Sequence, residues 1–140
     1  MPDESTTPDL VARWRHAADA FGRSDFDAGL SCFAPDAVWE VQPLGISLEG
    51  APAIRSFLED WLGSYEDYES EHDDVHNLGS GVVFAASRLD ARPLGSPGRV
   101  QERWGFTVTW AAGMIVRVIG STDIDGARAA AERLAQAAEL

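Results

Sequence analysis

The sequence predicts an α+β fold, with helices grouped first, an antiparallel meander after them, and a short helix at the C-terminal end. Three features lead to it. Apolar residues recur at helical spacing in two long stretches of the first half. From about residue 66 the period changes to two. Glycine-rich turns then join the strands with no helix between them, as in a meander rather than a βαβ unit.

Each element has its own local reason. In "TTPDLVARWRHAADAFGRSD", Thr, Pro and Asp form a helix start, and Leu10, Trp14, Ala17, Ala18 and Phe21 make one apolar stripe. "FDAGLSCF" reads as a short second helix ended by Pro35, and "AVWEV" as the first strand. "EGAPAIRSFLEDWLGSY" is a third helix with Pro52 in its first turn and Ile54, Phe57, Leu58, Trp61 and Tyr65 on one face. "DYESEHDDVHN" reads as an exposed strand or an irregular edge. "GVVFAASRLDARPL" and "RVQERWGFTVTW" form a long hairpin about "GSPG", and "AAG" turns into the final strand "MIVRVIGST". The Ala-rich "DIDGARAAAERLAQAAEL" closes the chain as a helix that Asp123 or Asp125 caps.

The 140 residues suit one domain, 1–140, with residues 1–7 as a flexible N-terminus. Eleven basic residues stand against 23 acidic ones, a net charge of -12. That field repels phosphate backbones and anionic lipid, so neither nucleic acid nor a membrane is an expected partner. All the basic residues are arginines, which excludes Schiff-base catalysis through a lysine. Cys32 stands alone and reads as a small buried hydrophobe. The polar, acidic N-terminus does not resemble a signal peptide, and the expected location is the cytoplasm. The Ala, Arg, Gly and Asp bias suggests a GC-rich bacterial genome.

Four stretches carry a family resemblance: "GRSDFDAGLSCFAPDAVWEV", "LEGAPAIRSFLEDW", "GSGVVF" and "VQERWGFTVTWAAGMIVRVIGSTD". Together they resemble the nuclear transport factor 2-like superfamily, in its SnoaL-like and ketosteroid-isomerase-like branch, over roughly residues 8–130. The resemblance implies a cone-shaped curved sheet of mixed or antiparallel strands, covered by the N-terminal helices in a cystatin-like roll. It also implies a homodimer and a pocket for a small hydrophobic molecule. Ketosteroid isomerases use an Asp base with a Tyr and a protonated Asp as oxyanion donors. At the corresponding places this sequence has Gln42, Ala17 and, on the later strand, Phe106. An amide accepts no proton near neutral pH, so the steroid-isomerase base is missing.

By the family's geometry the face bearing Glu40 and Gln42 looks into the cavity, with Trp39 outward towards a second subunit. Glu40 then has two readings: a partly desolvated general acid or base, or an ion pair with an arginine such as Arg103. Gln42 would orient a ligand, among walls built from Trp14, Ala17, Phe21, Trp61, Trp104, Phe106 and Val118. His72, Asp74 and His76 share a face on a regular strand and so could converge on a metal, but the segment reads first as an acidic edge. The resemblance brings no metal and no cofactor. His72 or His76 is instead a second candidate proton carrier. Two functions follow: a cofactor-free acid–base isomerase, cyclase or hydrolase, or a non-catalytic ligand-binding module.

Overall fold

The computed structural model describes residues 9–138. Helix α1 (Leu10–Gly22) is started by Asp9, whose carboxylate accepts from Ala12 N at 3.0 Å. Asp25 does the same for α2 (Phe26–Leu30), accepting from Ala28 N at 3.1 Å. Strand β1 (Phe33–Val41) is followed by a single 3-10 turn over Gln42–Leu44 and by β2 (Ile46–Glu49). Then come α3 (Ala51–Gly63), β3 (Tyr65–Gly79), β4 (Val82–Pro93), β5 (Val100–Ala111), β6 (Met114–Ser121) and α4 (Ile124–Ala138).

The six strands make one mixed sheet in the order β2-β1-β6-β5-β4-β3. Only the β1–β6 pair is parallel; the remaining pairs are antiparallel. The larger core lies between the inner face of this sheet and α1 to α3, and is built on Trp14, Phe33, Trp39, Ile54, Leu58, Phe106, Val108 and Ile115. A second, smaller core lies on the outer face, where α4 sets Ala131 and Ala135 against Val82, Phe84 and Ala86. Gly105 makes room for it: a Cβ there would stand 3.1 Å from the Phe84 ring and 3.4 Å from Ile124.

Two local expectations are corrected, one strand is added, and one of two candidate caps is chosen. The second helix stops at Leu30, and Phe33 and Pro35 belong to β1. Phe33 pairs with Ile115 and stacks on Trp39 at 6.1 Å, and the register shifts between Phe33 and Val38, where a proline's missing N–H is tolerated. Tyr65 leaves the α3 stripe and begins β3 opposite Pro93. Strand β2, with alternation too short to notice, exists because Gly45 at φ +66° returns the chain onto β1. Asp123, not Asp125, caps α4, accepting from Gly126 N at 3.1 Å. The expectation for residues 1–7 lies outside the described residues.

At the far end of the β4–β5 hairpin, Arg99 donates to Asp90 at 2.6 Å and to Asp67 at 2.8 Å. Hydrogen bonds from Arg99 hold both carboxyls below their ordinary value of 3.8. A depressed folded-state value contributes stability that is complete above 3.8 and disappears as pH falls through the lowered value. Arg99→Ala should therefore lower the neutral plateau of a Tm-against-pH curve slightly, these groups being at the surface, and leave its most acid points unchanged, so that the acid limb between them is flatter. An unaltered acid limb would show that the pairs do not hold in solution.

Candidate functional site

Two connected hollows occupy the space between the inner face of the sheet and the helices. The deeper one, about 70 Å³, is walled by Trp14, Phe21, Leu58, Trp39 and Phe106, with Tyr68, Ser70 and His72 from β3 and Ser87 from β4. The outer one is an open groove of about 750 Å³, with Val41, Pro43 and Leu44 on one side and Phe57, Asp60 and Glu102 on the other. Trp39, Trp61, Trp104 and Phe106 belong to both. Strands β1 and β3 are four places apart in the sheet, roughly 19 Å if it were flat. Their side chains meet around one cavity because the sheet curves.

The aromatic walls are mutually fixed. Trp61 and Trp104 lie 5.5 Å apart, Trp104 and Phe106 stack at 6.0 Å, and Trp39 meets Phe106 edge-on at 5.9 Å. Trp104 Nε1 donates to Glu102 at 3.1 Å. Trp14 is 1% exposed, and its Nε1 is buried with no hydrogen-bond acceptor among the described residues. A buried donor of this kind is usually satisfied.

His72 stands beside that indole. Its ring lies 6.0 Å from Trp14 in a T-shaped contact and 6.3 Å from Phe106, nearly parallel to it. Its carbonyl accepts from Arg15 at 2.6 Å, which ties β3 to α1. Among the described residues lining the deep cavity, His72 and Tyr68 carry the ionisable side-chain types. Tyr68 Oη is engaged by Phe21 O and Ser24 Oγ, both at 3.0 Å. His72 is thus the imidazole of that lining, with its ring against Trp14 and Phe106.

The structure separates the remaining candidates. Trp14, Phe21, Trp61, Trp104 and Phe106 line the hollows; Ala17 and Val118 are fully buried in the core behind them. Glu40 and Gln42 do not face inward. Trp39 and Val41 take the inner side of β1, so Glu40 lies on the outer face, where Arg117 Nε donates to it at 2.6 Å. The ion-pair reading holds for Glu40, with Arg117 in place of Arg103. Gln42 lines an outer groove against α4 with Thr107, Ser121 and Asp123. His76 also points outward, bonded to Asp74, which in turn accepts from Arg128 of α4 at 3.4 Å.

A register shift between Glu71 and Asp74 explains the separation of the two histidines. One extra residue reverses the alternation, sending His72 inward and Asp74 and His76 outward. No group of three or more metal-ligating side chains occurs among the described residues. Cys32 is half-buried, and burial pushes its thiol up against a smaller opposing pull from Arg13, which leaves little thiolate. Sequence reasoning missed Trp39, Ser87, Tyr68 and Glu102. For Trp39 a signal was present: Ala37, Trp39 and Val41 are the apolar half of β1, and the apolar half belongs under the helices.

Comparison with known proteins agrees with this architecture. A structurally similar protein from Burkholderia thailandensis, described as NTF2-like, is 21% identical, with a TM-score of 0.73 over 89% of this chain and 98% of that one. A Catenulispora acidiphila protein with a ketosteroid isomerase-like fold, solved with trimethylamine, is 16% identical, with a TM-score of 0.70 over 82% and 85% of the two chains. TerC, co-crystallised with polyporic acid, is also 16% identical, with a TM-score of 0.70 over 87% and 97%. No curated protein matches the sequence. A family model described as the SnoaL-like domain matches residues 14–118, and the chain belongs to that family.

Proposed function

We propose that this chain binds a small, largely apolar molecule between its sheet and helices, and that His72 is the proton-handling group of the site. The observation that carries the reading is the continuous aromatic lining from Trp14 to Trp104, interrupted by so few polar groups. Trp14 Nε1 and Ser87 supply points where a polar atom of the ligand can be held. Small molecules in the solved relatives with trimethylamine and polyporic acid support the same reading at the level of the fold.

If chemistry occurs, it is acid–base chemistry at His72 without a cofactor: a proton leaves or joins the ligand inside a cavity whose walls exclude water. Isomerisation, cyclisation and hydrolysis all fit that description. The alternative is a binding module, favoured by the lack of a carboxylate among the described residues that line the deep cavity. The outer face around Glu40, Arg117 and Ile119, which α4 leaves largely uncovered, is the surface we assign to a second copy in a homodimer.

Tryptophan fluorescence tests the pocket directly, because four of the five tryptophans line it. Titration with apolar ring compounds should quench and shift the emission saturably, with Trp61→Ala weakening binding at least tenfold. No saturable change with any such compound would count against the pocket. Incubating bound ligands with stoichiometric protein then separates the two functions: an unaltered ligand supports the binding module.

A further inference from the structure

Resting on the apolar-pocket reading above, we infer that the outer groove selects a lipophilic ammonium ion over its neutral isostere, with the cationic nitrogen held at the Trp61–Trp104 pair. Three sets of ring planes bound this end of the groove. Trp104 and Phe106 are stacked within 8° of parallel, Trp61 is inclined to Trp104 by 59°, and Trp39 to Phe106 by 72°. Rings that enclose a space on several sides present more than one π-face to it, and π-faces attract cations. An alkylated ammonium suits such a box, because its methyl or methylene groups pack on the rings while the charge meets their quadrupoles.

Two carboxylates line the groove beside the same pair of rings. Asp60 precedes Trp61 on α3, and Glu102 stands two residues before Trp104 on β5 with the indole N–H donated to it at 3.1 Å. That hydrogen bond holds the carboxylate at the edge of the ring whose face would carry the cation. Among the lining residues these two acids face a single guanidinium, Arg103. Arg103 pairs with Arg88 in the sheet and alternates with Trp104, so its backbone directs it away from the inner face that carries Trp104. The deep cavity beyond is mostly apolar, with no carboxylate among the described residues that line it. The two hollows therefore divide a ligand by chemistry, an uncharged ring body inward and a cationic end at the mouth. The chain's net charge of -12 acts in the same direction, raising the local concentration of cations.

The test uses phenyltrimethylammonium and tert-butylbenzene, which have the same shape and differ in the charge of one atom. Both are titrated into the full-length protein, at low and at high salt, and followed by tryptophan fluorescence. The cation should bind about tenfold more tightly at low salt, a preference that shrinks as salt is raised. The doubly substituted Asp60→Asn, Glu102→Gln protein keeps an acceptor for the Trp104 indole and should bring the two affinities within about threefold, with tert-butylbenzene unchanged. Equal or tighter binding of tert-butylbenzene by the unsubstituted protein overturns the inference and leaves the apolar pocket standing. A preference that survives both the substitutions and the added salt overturns the assignment to these carboxylates. If neither compound binds, the pocket reading falls, and the inference with it. The salt dependence of the unsubstituted protein decides the matter even if the variant does not fold.

Discussion

Phe84→Ala should destabilise the protein by about 3–5 kcal/mol, the range for removing a large aromatic ring from a closed core. Phe84 is completely buried on the outer face of β4. Its ring fills the space between Val82, Ala86 and the small residues Ala131 and Ala135 of α4. Alanines cannot reach across the gap a missing ring would leave, so a cavity should remain and the helix should loosen. Urea unfolding measures the loss, and amide exchange along α4 should rise more than along α1. Because this core lies across the sheet from the hollows, ligand affinity at temperatures where the variant stays folded should change by less than threefold. A loss below 1 kcal/mol would mean that α4 does not rest on the sheet as described.

His72→Gln carries the largest functional expectation. Once a converted ligand is known, removing the imidazole should lower kcat by about 10²–10⁴-fold, the usual contribution of a positioned acid or base. Ligand affinity should stay within a few-fold, because the walls of Trp14 and Phe106 remain. Glu40→Gln supplies the contrast. Its carboxylate is on the opposite face in an ion pair with Arg117, so turnover should change less than twofold. Reversal of that pattern, with Glu40 essential and His72 dispensable, would place the chemistry on the wrong side of the sheet and discard the mechanism. A readout without turnover exists as well: the ring protons of His72 should shift on ligand saturation while those of His76, bonded to Asp74 on the outer face, stay in place.

These two predictions fall on opposite faces of the sheet, and that division separates what could be read early from what could not. The α+β order, the helical stripe of α1 and the long β4–β5 hairpin were legible because each depends on local periodicity and turn residues. On β5, the alternation that sets Trp104, Phe106 and Val108 together was legible for the same reason, and all three lie on the inner face. The family was legible from four short patterns.

The direction of β1 was not. Alternation says that Trp39 and Glu40 point opposite ways, but which way is inward is decided by the partner strand and by what covers the sheet. Here Trp39 pairs with Val118 and packs beneath α3, while Glu40 pairs with Ile119 and meets Arg117. His72 was placed by a still less local event. A single extra residue between Glu71 and Asp74 reverses the pleat, and no residue type marks it in an acidic, irregular segment. By itself, then, the chain determined its longer elements, their order and its family, since these follow from spacing along one dimension, while the short β2 needed its partner strand. Which residues share the cavity was decided by strand pairing and one bulge, because only contact across the sheet chooses between the two faces of a strand.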